Sequence, residues 1–476
     1  MRNFVLIFFL IICNAIYAIE TFTIEGKVLC NGKDIENVVV TDGETFATTN
    51  NKGVFSMVIN SESKFVYIST PSGYNSQVEN GVVKYYLPLH GSDRNYNFNL
   101  LKSNTDAKRY GLVVISDPQI WAEKEFAKLS ISMQDVKETV NSYNNDRPFF
   151  GICCGDIVSS NHSFYPKYNE IIESSGITFR NVMGNHDMTN FGRSFETSLS
   201  NYESMYGPAY YSYNIGNIHY VVLDNNFFVG RDWYYIGYLP EKQMKWLEKD
   251  LKYLKDGSTV ILMMHIPSTC TEKDRKEFRY ENSASTMINH RGLYDILKPY
   301  NVHILSGHTH TPFNTQITPN LYEHVMPGLS GAWWQGPYCT DGAPNGYEVF
   351  EVNGSQLKWY YKSTGYPKEY QLKVFSGDDY PDFKGYIVAN VWNSDTSWKV
   401  ELFEDGKCIG KMERFSAYDP RVKEFYSNTE KLDHKWIYPS LSNHFYRAPL
   451  SQTTKNIEVR ATDRFGNVFI GKLERK

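Results

Sequence analysis

The sequence has no basic block, few cysteines and only one long apolar run, and each shortage excludes a class of protein. Its 476 residues contain 49 Lys and Arg against 53 Asp and Glu, which gives a formal charge of −4. Nucleic-acid binders that neutralise phosphates need a clustered basic surface. No stripe or block of lysine and arginine is present, so we expect no nucleic-acid partner.

The cysteines are too sparse and too irregularly spaced for a disulfide scaffold. Seven are present, and none belongs to a Cys-x-x-Cys pair, which excludes a zinc ribbon. Cys153 and Cys154 are adjacent within an apolar run, which is typical of small core residues. Six cysteines follow the first 18 residues: Cys30, Cys153, Cys154, Cys270, Cys339 and Cys408.

The single apolar run, Phe4–Cys13, is too short to cross a membrane comfortably. It follows a short basic start and precedes the small residues Ala15 and Ala18. This order indicates a secretory signal peptide, residues 1–18, that is cut after Ala18. We therefore expect export from the cytoplasm. No later run is apolar enough for a transmembrane segment.

Both ends of the mature chain have the pattern of β-sandwich domains. In residues 19–103, apolar and polar residues alternate along Thr21–Val28, and Asn31-Gly32 and Asp42-Gly43 are hairpin-type turns. With the segment Thr48–Phe55, this part resembles the carboxypeptidase-regulatory-like, transthyretin-type sandwiches. Residues 368–476 again contain only predicted strands, for which we expect a small Ig-like sandwich.

Residues 104–367 alternate predicted strands with predicted helices, which indicates an α/β domain. Polar clusters follow five of its apolar strands. Strand ends of an α/β sheet meet at one edge, where ligands collect. Together the clusters offer enough oxygen and nitrogen donors for two metal ions. They are Asp117-Pro118-Gln119, Gly155-Asp156, Gly184-Asn185-His186-Asp187, His265 and Gly307-His308-Thr309-His310.

The order of these five clusters resembles that of the calcineurin-like metallophosphoesterases, over roughly residues 109–365. With a β-domain on either side, the chain resembles the exported three-domain bacterial members, which implies a periplasmic, cell-surface or secreted location in a bacterium. The resemblance implies a four-layer αββα sandwich flanked by two small all-β domains. It also implies a phosphoric ester hydrolase with two divalent ions, for which mixed carboxylate, imidazole and amide donors favour Mn, Fe or Zn and leave Mg possible.

Carried over position by position, the resemblance implies a role for each polar residue. His186 would stabilise charge on the phosphate or protonate the leaving group, with Asp187 beside it. Asp156 would bridge both ions. The first ion would be bound by Asp117, Gln119 and His310, and the second by Asn185, His265 and His308.

Two positions depart from the family pattern. Position 119 is Gln where most members carry His, which replaces an imidazole by a harder, neutral oxygen donor. Position 159 is Ser where many relatives carry an Asp that supports the catalytic His. Asp187 could support the catalytic His instead.

Three further residues are candidates for binding substrate. Trp333 and Trp334 lie in a glycine-rich loop, where they form either a wall for a sugar or base ring or part of the core. Arg193 could contact a phosphate. The substrate would be a small-molecule or glycan-linked phosphate.

The sequence thus predicts hydrolysis of a phosphate mono- or diester outside the cytoplasm. Two alternatives stay open at this point. One is a pyrophosphatase for nucleotide-sugar or ADP-ribose compounds, which the Asp-x-Gln signature favours slightly. The other is a glycan-binding surface protein with an inactive central domain, which the complete set of donor residues argues against.

Overall fold

The structure, a computed structural model, describes residues 20–103, 108–269, 280–451 and 455–474. The predicted signal peptide, residues 1–18, and Cys270 lie outside these residues. No helix in the described ranges is long and apolar enough to span a membrane. The described cysteines are all free, and Cys153 and Cys154 are buried as predicted.

The N-terminal part consists of short strands in two main sheets. One sheet has the order β2-β1-β11-β7, with β5 paired to the earlier residues of β1, and the second has the order β10-β6-β3-β4. The strands are β1 (Thr21–Cys30), β2 (Lys33–Asp34), β3 (Val39–Thr41), β4 (Phe46–Thr48), β5 (Val54–Asn60), β6 (Phe65–Ser69), β7 (Tyr74–Asn75), β8 (Gln77–Glu79), β9 (Val82–Lys84), β10 (Tyr86–Pro88) and β11 (Phe98–Lys102).

The central part contains most of the helices, as the alternating pattern predicts. Its strands are β12 (Arg109–Ile115), β13 (Phe149–Cys153), β14 (Phe179–Asn181), β15 (Tyr211–Ile215), β16 (Ile218–Val222), β17 (Asn226–Gly230), β18 (Tyr234–Gly237), β19 (Thr259–Met263), β20 (Asn301–Ser306), β21 (Phe313–Thr318), β22 (Leu321–Val325), β23 (Gly346–Asn353) and β24 (Gln356–Ser363). Its helices are α1 (Phe126–Asn141), α2 (Tyr165–Glu173), α3 (Phe195–Ser198), α4 (Ser200–Tyr206), α5 (Glu241–Leu251), α6 (Tyr280–Ser285) and α7 (His290–Leu297).

Two mixed sheets form the centre of this part. One has the order β14-β13-β12-β23-β24, and the other has the order β15-β16-β19-β20-β22-β21. The ladders β12–β13–β14 and β16–β19–β20–β22 are parallel. The carboxyl ends of neighbouring strands in each ladder therefore lie at one edge, which is where the polar clusters follow.

Alternate residues of β12 face two different cores. Val113 and Ile115 belong to a core with residues of α1 and α2, whereas Leu112 and Val114 belong to a core with residues of the six-stranded sheet. Such alternation is expected for a strand whose sheet is covered on both faces. The result is an α/β core accompanied by β-rich parts before and after it.

The C-terminal part forms two four-stranded sheets, β25-β26-β30-β29 and β28-β27-β31-β32, that share one hydrophobic core. One expectation fails here, because a helix, α8 (Pro420–Ser427), interrupts a segment expected to contain only strands. Asp419 caps it by accepting from the Arg421 amide, and Pro420 suits its first turn. The strands are β25 (Lys373–Ser376), β26 (Tyr386–Asn390), β27 (Lys399–Glu404), β28 (Lys407–Lys411), β29 (Glu413–Ala417), β30 (Ser442–Pro449), β31 (Asn456–Thr462) and β32 (Val468–Glu474).

Buried polar contacts join both β-rich parts to the centre. On the N-terminal side, Ser212 Oγ lies 2.9 Å from Ser69 Oγ and donates to Asp250 Oδ1 at 2.8 Å. On the C-terminal side, His444 Nε2 lies 2.8 Å from Asp341 Oδ2. Because unpaired polar groups at these positions would be costly, the contacts specify how the parts dock.

Glu348 in β23 gives the fold a testable pH dependence. It is fully buried, and burial raises its pKa to about 8. An unfolded Glu titrates near ~4.3, so between these values the folded state holds the extra proton and stability falls as pH rises. We expect Glu348→Gln to remove this pH-dependent loss of folding stability. Its unfolding free energy relative to wild type should rise by roughly 1–3 kcal/mol between pH 5 and pH 8.

Urea unfolding at both pH values measures this difference. The exposed Glu248 on α5 supplies a matched control, since Glu248→Gln should leave the pH profile of wild type unchanged. Parallel profiles for wild type and Glu348→Gln would show that this carboxyl is ionised in the folded protein.

Candidate metal centre

The five polar clusters come together at the edge where β12, β13, β14, β19 and β20 end. Asp156 lies at the middle of the group. Its Oδ2 accepts a hydrogen bond from Gln119 Nε2 at 3.1 Å and lies 3.3 Å from His265 Nε2. One carboxylate oxygen thus faces donor groups from two different loops. Asp156, His265 and His308 also offer ligand atoms that all lie within 4.8 Å of one another.

On one side of Asp156, two buried oxygens lack hydrogen-bond partners among the described residues. They are Asp117 Oδ1 and Gln119 Oε1. The Nε2 atom of His310 lies 3.5 Å from Asp117 Oδ1. Unpaired buried oxygens are rare in proteins, and a cation is one way to satisfy them. The residues present therefore fit a metal ion, and the unpaired Gln119 atom is the oxygen that a ligand amide would use.

On the other side, Asn185 and His308 converge on His265. Asn185 Oδ1 lies 3.2 Å from His265 Nε2, and His308 Nδ1 lies 3.2 Å from the same atom. Two imidazole nitrogens and an amide oxygen at this spacing form a mixed donor set for a divalent transition metal.

Backbone carbonyls orient two of the imidazoles. His265 Nδ1 donates to the Cys154 carbonyl at 2.8 Å, and His310 Nδ1 donates to the Gly331 carbonyl at 2.6 Å. The Nε2 atom of each ring faces the carboxylates and, in the neutral ring, carries no proton and is free to bind a metal. This arrangement is the usual way in which a protein prepares histidine to bind a metal.

The pKa values of these residues are shifted because ionisable side chains are buried close together, away from water. Burial raises the pKa of Asp117, although the imidazoles of His310 and His265 oppose the effect. Burial alone would also raise the pKa of Asp156, but His265 and His186 hold it well below its ordinary value. Burial would lower the pKa of His265, yet the Asp156 carboxylate beside it raises that pKa to about 9. A bound cation would supply the positive charge that the proton on His265 supplies beside Asp156.

The backbone is strained at the same residues. Five of the seven predicted metal ligands have positive φ, between 45° and 69°. Left-handed backbone is uncommon for residues other than glycine, and such strain collects at functional sites. The five are Asp117, Gln119, Asp156, His308 and His310.

Two glycines allow the loops to approach. A Cβ on Gly184 would lie 2.1 Å from the Asp156 amide nitrogen, and a Cβ on Gly307 would lie 1.8 Å from Ser116 Oγ. Ser116 in turn donates to Asp117 Oδ2 at 2.6 Å. Glycine is therefore required at positions 184 and 307 because any side chain there would clash with the neighbouring loop.

His186 lies beside the cluster, whereas Asp187 points into the loops beneath it. The His186 amide donates to Asp156 Oδ1 at 2.8 Å. Asp187 accepts from the amides of Gly184 and Ile157 and from the Tyr165 hydroxyl. Asp187 thus braces the loop that carries Asp156, and its described hydrogen bonds do not include the His186 ring.

Several supporting residues were missed by the sequence analysis. Asn225 forms two hydrogen bonds with Ile266, next to His265, and Asn226 Nδ2 donates to the Met183 carbonyl at 2.7 Å. Glu323 accepts from Ser268 and Thr269 just after His265. The Asp-Asn-Asn run that begins two residues after β16 was an available signal in the sequence, whereas the buried Glu323 lies within a strand and gave none.

The three predicted substrate residues have different outcomes. Of the two alternatives for Trp334, the structure supports a core position over a substrate-binding wall, because Trp334 is 4% exposed and its Nε1 donates to the Pro118 carbonyl at 2.7 Å. It fills the core and supports the loop between two predicted ligands. Trp333 is half-buried and stacks on His310, with ring centroids 4.2 Å apart. Arg193 is exposed before α3 and has no described contact with the cluster.

Three family models match almost the whole described chain. The model for calcineurin-like phosphoesterase matches residues 111–312, which contain every predicted ligand. The models for the N-terminal and C-terminal regions of calcineurin-like phosphoesterase match residues 22–103 and 323–469. The chain belongs to the calcineurin-like phosphoesterases. This phosphoesterase is accordingly a phosphoric ester hydrolase with a metal-binding group.

Solved structures similar to this phosphoesterase are distant. A dimetal phosphatase from Danio rerio is 13% identical, with 54% of this chain and 99% of that chain covered and a TM-score of 0.36. A purple acid phosphatase from yellow lupin seeds is 13% identical, with coverages of 72% and 67% and a TM-score of 0.41. A 5′-nucleotidase from Candida albicans is 12% identical, with coverages of 54% and 52% and a TM-score of 0.34. No curated protein matches the sequence.

The contact between Gly184 and Asp156 can be tested. Gly184 has φ −104°, which alanine adopts freely, so Gly184→Ala adds only the clash with Asp156. We expect bound metal and turnover to fall at least tenfold while the circular dichroism spectrum is unchanged. Metal content by elemental analysis is the decisive measurement.

Gly91 supplies the control, since a Cβ there would meet nothing within 4 Å. Gly91→Ala should retain the metal content and turnover of wild type. Full metal content in Gly184→Ala would show that the loops have room to move apart.

Proposed function

We propose that this phosphoesterase hydrolyses a phosphate mono- or diester at a dinuclear metal centre. The observation that supports the proposal most directly is the position of Asp156 Oδ2. This oxygen lies 3.1 Å from Gln119 Nε2 and 3.3 Å from His265 Nε2, so one carboxylate reaches both groups of donors. Asp156 would bridge the two ions. We also infer that the α/β core has the four-layer order αββα, because one face of β12 packs against helices α1 and α2 and the other face packs against the second sheet.

Each half of the cluster would hold one ion. Asp117, Gln119 and His310 would bind the first, and Asn185, His265 and His308 would bind the second. When bound, such a pair of ions supplies charge stabilisation for the phosphate and a nucleophilic water at neutral pH. The donor set favours Mn, Fe or Zn, with Mg possible through the oxygen of Gln119.

His186 would handle the proton or the developing charge. Its amide is fixed to Asp156, while its ring remains partly accessible beside the cluster. Burial lowers the pKa of His186, and Asp156 opposes that effect. The position of the ring beside the cluster would let it stabilise an oxygen of the phosphate or donate a proton to the leaving group.

We further propose that the protein acts outside the cytoplasm. The apolar run Phe4–Cys13 followed by Ala15 and Ala18 supports a cleaved signal peptide. N-terminal sequencing of the protein from the expressing cell should begin at Ile19. Recovery of the intact N-terminus from the cytoplasmic fraction would refute export.

Asp156→Asn tests the dinuclear centre. Removing the shared negative charge should abolish turnover and reduce metal from near two ions per chain to one or none. Elemental analysis and phosphate release from glycerol 2-phosphate with added Mn measure both effects. Asp256 is exposed, so Asp256→Asn is a charge-matched control that should behave as wild type.

His186→Ala separates chemistry from metal binding. Loss of a general acid should lower kcat by about 10²-fold or more while two ions stay bound. The exposed His90 gives the control variant His90→Ala, for which kcat should not change. A kcat for His186→Ala equal to that of wild type would remove His186 from the reaction.

A further inference from the structure

Four aromatic rings form a continuous arc that starts on the metal centre. Trp333 stacks on His310, and Trp436 meets Trp333 edge to face with centroids 4.4 Å apart. His434 lies 5.6 Å from Trp436, and Trp121 lies 5.0 Å from His434. We call Trp333, Trp436, His434 and Trp121 the aromatic arc.

The other end of the arc is joined to the metal centre through the chain. Trp333 contacts His310 directly, whereas Trp121 follows Gln119 by two residues in the same loop. His310 and Gln119 are predicted ligands of the same ion. The middle of the arc, His434 and Trp436, comes from the C-terminal part of the chain. Three separate segments therefore contribute rings to one side of the centre.

The arc combines an accessible surface with a fixed base. Trp121 and Trp436 are 52% and 50% exposed, although large aromatic side chains are usually buried. Beneath it, Trp333 packs against a small buried cluster that includes Val422 and Tyr426 of α8. The Gln335 side chain accepts a hydrogen bond from the His434 amide at 2.9 Å. A rigid exposed aromatic surface beside a catalytic centre is suited to binding a ligand.

We propose that the aromatic arc is a stacking subsite for a planar ring of the substrate, of the nucleobase type. The inference rests on the proposed function and assigns a substrate class to the same centre. Indole faces stack on bases with little regard to base identity. All members of the arc are rings, which suits a flat partner better than an acyl chain.

The polar rim argues for a base over a sugar. Lys124 and Asp433 flank the arc and pair with each other at 2.5 Å. A sugar ring needs several polar partners for its hydroxyl groups, and these two side chains are already occupied. A base needs mainly the face of a tryptophan.

Competition with the hydrolysis of a chromogenic phosphate ester gives an affinity even for a probe that is itself hydrolysed. On the full-length, metal-loaded protein it tests the subsite with four probes: adenosine 5′-monophosphate, glucose 1-phosphate, glycerol 2-phosphate and dodecyl phosphate. We expect wild type to bind adenosine 5′-monophosphate at least tenfold more tightly than the other three. Trp436→Ala and Trp121→Ala should weaken that binding by about five- to fiftyfold. Binding of glycerol 2-phosphate should stay within twofold, and Trp436→Tyr should recover most of the lost affinity.

Tyr253 is 48% exposed, and its described ring contact is with Phe46 and not with a member of the arc, so Tyr253→Ala is the matched control. Equal weakening of all four probes in the arc variants would overturn the proposal, as would a wild-type preference for glucose 1-phosphate or dodecyl phosphate. Wild type without preference among the probes would also overturn it.

Phosphate release from glycerol 2-phosphate separates this inference from the proposed function. That probe has no ring, so its hydrolysis by wild type and by both arc variants reports on the metal centre alone. Turnover without ring preference would refute the subsite and leave the phosphoesterase reaction intact. Absence of turnover with any phosphate ester would refute the proposed function itself.

Discussion

Two buried carboxylates that approach each other without full hydrogen bonding are the constraint on which this structure depends. Asp117 is fully buried and Asp156 nearly so, and one oxygen of Asp117 has no partner among the described residues. Burying such groups is unfavourable unless positive charge compensates for them. The imidazoles and the amide that surround them form the donor set of a metal site, which gives the arrangement a function. Much of the surrounding structure serves to hold these groups in place.

The supporting structure acts mainly through the backbone. Gly184 allows its loop to contact the loop of Asp156. Asp187 accepts hydrogen bonds from backbone amides of the Asp156 loop, and Glu323 accepts hydrogen bonds from the residues that follow His265. These contacts offset left-handed φ values at Asp156 and His308. A decayed, purely glycan-binding domain would have no reason to retain such strain together with a complete donor set.

The C-terminal part packs directly against the loops around the metal centre. His444 reaches Asp341 in the loop after β22, and Trp436 meets Trp333, which itself covers His310. Its helix α8 supports the loop that holds Trp333. A β-sandwich that docks in this way can select substrates for the centre while leaving the catalytic loops to the α/β part.

The amino-acid sequence alone was enough for the α/β core, the β-rich ends and the convergence of the polar clusters. Strand periodicity is local, and the carboxyl ends of parallel strands must meet at one edge, so Asp117, Asp156 and His308 could be grouped without coordinates. The family and the phosphoesterase reaction followed from their order. Only the tertiary structure showed that Trp334 is buried in the core while Trp333 stacks on His310. It also showed that Trp436, from the C-terminal part, contacts Trp333. Burial and contacts across a hundred residues depend on how the sheets and domains pack, which no local pattern encodes.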